Sequence, residues 1–309
     1  MADITRRQLL QWSTRLAALM GLETAMLPQV AEALDLFASG NAPVLWLQGL
    51  SCSGCSVSAL NTETPSAVEL LTGYAALKFH GTLSAATGHI AEDVVVRMID
   101  TGDFYLAVEG SMPVGIPEAC MFASKPVTEQ VIRAAQRAKA VLCVGTCASF
   151  GGIPAAEGNP TGAQSVPQFL ADRHVSVPVI RVPGCPTHPN WVVGTLVYLI
   201  KFGLPALDGM QRPTMFFDRL IHDQCPRFAD YERERFAQTF SDDGCLFKLG
   251  CLGPVTHADC TIRQWNGGVN YCINARGPCV GCASHDFVAQ RAFPLYTPIR
   301  PQEPDKGAV

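Results

Sequence analysis

The chain has 309 residues, 48% of them hydrophobic and only 16% charged, with a net charge of −4 and an isoelectric point near 6.0. That length suits two domains, or one large domain with an appendage. The composition excludes a disordered chain, and the charge gives no general surface for nucleic acid. No apolar run reaches the roughly eighteen residues of a membrane-spanning helix.

In chain order, the first signal is Thr5-Arg6-Arg7-Gln8-Leu9-Leu10, two arginines followed by an apolar couple. An alanine-rich stretch from Leu16 to Leu22 and the segment Ala25-Met26-Leu27-Pro28 come next. Residues 1–40 thus have the layout of a twin-arginine (Tat) export signal. The competing reading is an amphipathic helix with two solvated arginines. Tat carries proteins that have already folded, so metal would be acquired in the cytoplasm with thiols reduced. The expected location is the periplasm, reached through the Tat machinery.

Short apolar runs follow at Pro43–Gly49, Phe104–Val108, Ala140–Gly145 and Val177–Val182, with a helical pattern over Thr128–Lys139. Strands alternating with helices predict an open parallel α/β sheet over residues 41–205. Beyond about Leu204 the pattern dissolves into short segments rich in Cys, Gly and Pro, and the boundary falls in 203–213. Residues 206–309 therefore need another source of rigidity, which bound clusters supply.

Thirteen cysteines are too many for incidental core thiols, and an odd number cannot all pair within one chain. Cys52 and Cys55 form a C-x-x-C after the first predicted strand. Cys147 and Cys185 follow two others. All four thus fall at the carboxyl edge of a parallel sheet, where such folds place ligands. Gly54, Gly145 and Gly184 allow close backbone approach, and four converging thiolates suit a [4Fe–4S] cluster. A structural zinc site is the rival, although its paired C-x-x-C knuckles normally lie close together. The second half adds His222, Cys225, Cys245 and Cys251, then Cys260, Cys272, Cys279 and Cys282. Spacing does not decide how these divide, and His257 and His285 remain spare candidates.

Many segments carry a resemblance. They include Leu50-Ser51-Cys52-Ser53-Gly54-Cys55-Ser56, Val108-Glu109-Gly110-Ser111-Met112-Pro113 and Gly145-Thr146-Cys147-Ala148-Ser149-Phe150-Gly151-Gly152-Ile153-Pro154. Pro183-Gly184-Cys185-Pro186, Ile221-His222-Asp223-Gln224-Cys225-Pro226, Gly250-Cys251-Leu252-Gly253-Pro254 and Pro278-Cys279-Val280-Gly281-Cys282 complete the set. Over essentially its whole length the chain resembles the small, electron-transfer subunit of [NiFe]-hydrogenases. Ser56-Val57-Ser58 and Pro154-Ala155-Ala156-Glu157-Gly158-Asn159 resemble the selenium-containing branch. The resemblance implies a flavodoxin-like first domain, an irregular second domain and a relay of three Fe–S clusters. The proximal [4Fe–4S] cluster would lie on Cys52, Cys55, Cys147 and Cys185. The distal [4Fe–4S] cluster would use His222, Cys225, Cys245 and Cys251, and the medial one Cys260, Cys279 and Cys282. The Ni–Fe centre belongs to a separate large subunit, so no catalytic residue is expected in this chain.

Two departures from the common pattern matter. Most relatives have proline in place of Cys272 and a [3Fe–4S] medial cluster, whereas a fourth thiolate here allows [4Fe–4S]. Relatives with a six-thiolate proximal cluster carry two extra cysteines. Here Cys120 looks like one of those positions and Gly54 stands at the other, so that cluster is not expected. Cys120 and Cys143 are expected simply to be buried. The polar stretch Pro301–Val309 predicts no membrane anchor and favours a soluble acceptor such as a periplasmic cytochrome c. A hydrogen-sensing small subunit is the alternative, disfavoured by the export signal. The related quinone-proximal subunit of respiratory complex I has adjacent cysteines at its first motif and no second cysteine-rich domain.

Overall fold

The structure, a computed structural model, describes residues 6–38, 42–62 and 77–288. Thr5 of the arginine motif and the polar stretch Pro301–Val309 lie outside them. Nine strands occur among the described residues: β1 (Val44–Gln48), β2 (Leu77–His80), β3 (Tyr105–Glu109), β4 (Met112–Pro113), β5 (Met121–Phe122), β6 (Lys125–Pro126), β7 (Ala140–Val144), β8 (Ala163–Gln164) and β9 (Val179–Val182). Five form one parallel sheet in the order β2-β1-β3-β7-β9, while β4 pairs with β8 and β5 with β6 as short antiparallel ladders. Counted within the main sheet, that order is 2-1-3-4-5, the flavodoxin-like arrangement, with its switch point between β1 and β3.

The central strands are apolar because both sheet faces are covered. β3 and β7 are buried at every position. Alternate residues Leu45, Leu47, Leu106, Val108, Val141 and Cys143 join one core with the helices α4 (Gly88–Thr101), α5 (Val127–Ala135) and α7 (Val166–Asp172). Cys143 is fully buried there, and burial pushes its thiol up to about 12. The intervening residues Val44, Trp46, Ala107 and Leu142 face a second core, built on α8 (Pro189–Phe202). The sequence pattern missed β2. It is an edge strand whose Lys78 faces solvent, so only half of it reads as core.

The N-terminal region folds as a helical hairpin, α1 (Arg6–Leu19) and α2 (Leu27–Ala38). Trp12, Leu16 and Met20 recur every fourth residue, and with Val30, Ala33 and Leu34 they are buried in the α8 core. Glu32 pairs with Lys201 of α8, and Arg7 is exposed. After Gly203 the described helices are short: α9 (Thr214–Phe217), α10 (Phe228–Glu232) and α11 (Cys260–Arg263), with single 3-10 turns between them. Phe216 and Phe217 join the α8 core, so this irregular region packs directly on the sheet domain.

Candidate functional site

The carboxyl edge of the sheet carries the first thiol group. Ser53, in the left-handed conformation (φ 60°), turns the chain from β1 into α3 (Gly54–Leu60), leaving Cys52 and Cys55 on either side of the turn. Cys147 lies in α6 (Gly145–Phe150), which starts as β7 ends, and Cys185 follows β9. The four thiols feel one another's charge. Cys55 is destabilised as a thiolate by Cys147 and Cys185, and both of those by Cys52. Burial is the larger effect, raising Cys55 and Cys147 above the ordinary thiol range and Cys185 to about 12. Glycine is required at two contacts. A side chain on Gly145 (φ +84°) would strike the Cys55 sulfur, and one on Gly152 would come within 2.8 Å of the Cys147 sulfur.

Glu109, at the end of β3, lies beneath this group and is 2% exposed. Its Oε1 accepts from the Cys55 and Ser56 amides at 3.0 and 3.3 Å. Its Oε2 accepts from Trp46 Nε1 at 3.2 Å, from Gln48 Nε2 at 3.1 Å and from the Ser56 hydroxyl. With that proton committed, Ser56 Oγ accepts from His80 Nε2 at 3.0 Å, while His80 Nδ1 accepts from the Thr82 amide at 3.0 Å. Both roles require a neutral ring, and burial lowers His80 to about 4. Sequence reasoning gave Glu109 no role. The one available signal was a carboxylate closing an otherwise apolar strand.

The outer group forms around one small cavity, lined by His222, Cys225, Cys245 and Cys251 together with Arg227, Phe247 and Ile273. The His222 ring packs edge-on against Phe228 and Tyr231, centroids 5.1 and 4.5 Å away. Amides point at these sulfurs: Arg227 N donates to Cys225 Sγ at 3.4 Å, and Cys279 N to Cys251 Sγ at 3.4 Å. Such donors favour the thiolate form that a metal requires.

Between the two groups lie Cys260, Cys279 and Cys282, which raise one another after burial has done so first. Cys272, at the surface, neighbours Cys282 and Cys251. Asp259, held by Trp191 Nε1 at 2.7 Å and by Arg263, fixes the start of α11 and hence Cys260. The three groups adjoin in sequence, because Thr146, beside Cys147, donates to the Cys282 carbonyl and Cys279 N donates to Cys251 Sγ at 3.4 Å. The spare histidines lie elsewhere. His257 makes a backbone bridge to Leu220, and His285 packs on Phe150 at 6.4 Å. Cys120 lies off the sheet-edge group: its Sγ donates to Gln48 O at 3.6 Å. Cys120 is half-buried rather than fully buried, and burial raises its thiol.

All thirteen cysteines are free. Among the described residues no three Cys, His, Asp or Glu side chains converge on a single ion. A tetrahedral zinc site needs sulfurs about 3.8 Å apart, from Zn–S bonds of about 2.3 Å. Among the described residues no set converges in that way, and thiolate and imidazole donors are also the ligand types of iron–sulfur clusters. The arrangement can therefore pass electrons.

Two family models match the chain. One, for the C-terminal part of the NiFe/NiFeSe hydrogenase small subunit, spans residues 217–294, and the other, for the 20 kDa subunit of NADH ubiquinone oxidoreductase, spans 52–199. The second covers only the sheet domain. The periplasmic [NiFeSe] hydrogenase small subunit of Desulfomicrobium baculatum is 38% identical over 305 residues, 92% of this chain and 96% of that protein. The hydrogenase-1 small chain of Escherichia coli K12 is 36% identical over 94% of this chain and 79% of its own. Among solved structures, the H2-activated Dm. baculatum [NiFeSe]-hydrogenase matches with a TM-score of 0.78 and 40% identity, covering 83% of this chain and 99% of that one. The recombinant [NiFeSe] hydrogenase of Desulfovibrio vulgaris Hildenborough matches with a TM-score of 0.76 and 42% identity, over 80% and 94%.

Proposed function

Because the chain belongs to the NiFe/NiFeSe hydrogenase small-subunit family, we propose that its three thiol groups hold three iron–sulfur clusters in a single-file relay. The protein is the electron-transfer subunit of a hydrogenase, an oxidoreductase in which the H2-splitting centre belongs to the large subunit. It binds iron–sulfur clusters, and bound clusters supply one-electron chemistry. Cys52, Cys55, Cys147 and Cys185 take the proximal [4Fe–4S] cluster, and His222, Cys225, Cys245 and Cys251 the distal one. Cys260, Cys279 and Cys282 take the medial cluster, with Cys272 as its fourth ligand. The observation that supports this reading is the hydrogen-bonded succession from the sheet edge outward: Thr146, beside Cys147, donates to the Cys282 carbonyl, and Cys279 N donates to Cys251 Sγ, which lines the His222 cavity.

The chain's own groups have three tasks. They bury Cys245, Cys251, Cys260 and Cys279, point amides at the Cys225 and Cys251 sulfurs, and close the path with a neutral imidazole in place of an anionic thiolate. A neutral exit ligand raises the distal potential relative to an all-thiolate cluster. Residues 1–40 are read as the Tat export region, with Arg7 exposed for recognition, 41–205 as the proximal-cluster domain and 206–309 as the medial and distal domain. The periplasm is the working compartment, in line with the Dm. baculatum relative. A soluble cytochrome c docking near His222 is the acceptor. No described helix is long and apolar enough to cross a membrane.

The test is Cys147→Ser in the assembled heterodimer. Loss of the proximal signal together with H2-driven acceptor reduction is expected, while hydrogen isotope exchange at the large subunit persists. Normal acceptor reduction with a full iron count would rule the proximal assignment out.

A further inference from the structure

At the outer junction Cys279 N donates to Cys251 Sγ at 3.4 Å and Leu252 N to Cys279 O at 2.7 Å, while Thr256 Oγ1 donates to Leu252 O at 2.7 Å. At the inner junction one side chain intervenes. Thr146 is 1% exposed and stands between Gly145 and Cys147 at the start of α6. Its Oγ1 accepts from the Gly184 amide at 2.8 Å and donates to the Cys282 carbonyl. Its own amide donates to Gly184 O at 3.0 Å.

The direction of each bond is fixed by chemistry. An amide can only donate, so the hydroxyl accepts from Gly184 and spends its single proton on Cys282 O. One hydroxyl therefore joins a residue beside Cys147, a residue beside Cys185, and Cys282 itself. The Cys185 amide also points at the Cys282 sulfur. Electron tunnelling decays steeply with the gap crossed, and a hydrogen-bonded path decays more slowly than a jump through space. A small shift of the Cys279–Cys282 loop away from the sheet edge therefore costs rate even if every ligand stays in place.

We propose that Thr146 is the positioning residue of the inner junction, clasping the proximal ligand loops to the Cys282 loop so that electrons pass between proximal and medial clusters. The proposal rests on the ligand assignment above. It adds that a residue ligating nothing sets the coupling between two clusters.

Thr146→Val keeps the shape and removes the hydroxyl, leaving the Gly184 amide and Cys282 carbonyl unpaired. Thr146→Ala leaves room for water to pair them, and Thr146→Ser retains the clasp. In the assembled heterodimer three quantities are read: iron content, the magnetic coupling between reduced proximal and medial clusters by EPR, and the rate of H2-driven dye reduction. The expected result is full iron in all three variants, weakened coupling and dye reduction slowed several-fold in Val and Ala, and recovery of both in Ser. Isotope exchange at the large subunit, which needs no relay, is the control for assembly. If Val does not assemble, Ala decides. Wild-type coupling and rate in an iron-replete Ala or Val variant would overturn the clasp. Unchanged iron in Cys185→Ser and Cys282→Ser would instead overturn the ligand assignment, and the clasp with it.

Discussion

At the scale of single residues, Cys272 has the largest spectroscopic consequence. It stands beside Cys282 at the surface, and four thiolates complete a cubane. Cys272→Pro should leave one corner without a protein ligand and produce the EPR signal of an oxidised three-iron cluster, absent from anaerobically prepared wild type. Losing one anionic thiolate should also raise the medial potential. A stoichiometric three-iron signal already present in undamaged wild type would refute Cys272 as a ligand. His188 gives a second prediction. Its Nδ1 accepts from the Asn190 amide at 3.1 Å and its Nε2 meets Gln264 O at 2.7 Å, so a second proton would face a donor. Burial first, and Arg263 beside it, lower the ring to about 4. The folded state therefore binds fewer protons than the unfolded chain between about pH 6.5 and 4. Its stabilising contribution is complete above that window and is lost as pH falls through it, by about 2 kcal/mol at pH 5. His188→Asn keeps a side chain able to cap α8 and should show a shallower loss of the urea midpoint from pH 7 to 5. Equal slopes in the two proteins would show that His188 does not titrate in this way.

At the scale of elements, the hairpin α1–α2 is both the bearer of the arginine motif and a contributor to the α8 core. Trp12 is 6% exposed, and truncating a buried aromatic costs about 3 kcal/mol or more. In the unprocessed chain, Trp12→Ala should therefore speed proteolysis within residues 6–38 while leaving cleavage of the sheet domain unchanged. A wild-type digestion pattern in the variant would show that the hairpin is not held by this packing. The strands were legible in the sequence where five-residue apolar runs ended in glycine or a carboxylate, as for β1, β3 and β7. The packing of the hairpin was not. Apolar residues every fourth position serve an export signal and a core-facing helix equally well, and only the presence of α8 decides between them.

At the scale of the whole molecule, the sequence revealed which residues could bind metal but not how they adjoin. Cys52 and Cys55 announce themselves by spacing, because one turn carries both. The neighbourhood of Cys272, Cys282 and Cys251 depends on how irregular loops fold over one another, which no local pattern encodes. Glu109 and Thr146 stand in family-like segments with no role legible there, for the same reason. Their meaning lies in partners 53 and 136 residues away, and ordinary residue types acquire function only through those contacts.

The span of the Thr146–Cys282 bond also sets a timetable for biogenesis. Closing a loop of 136 residues costs chain entropy before any contact repays it, and contacts so distant in sequence form late in folding. Cys282 is also among the last described residues to leave the ribosome. The inner junction therefore cannot form until synthesis has passed Cys282, whereas the four sheet-edge thiols all lie within residues 52–185 and can come together before it. A metal arriving before that point would meet the sheet-edge thiols without the Cys282 loop that abuts them.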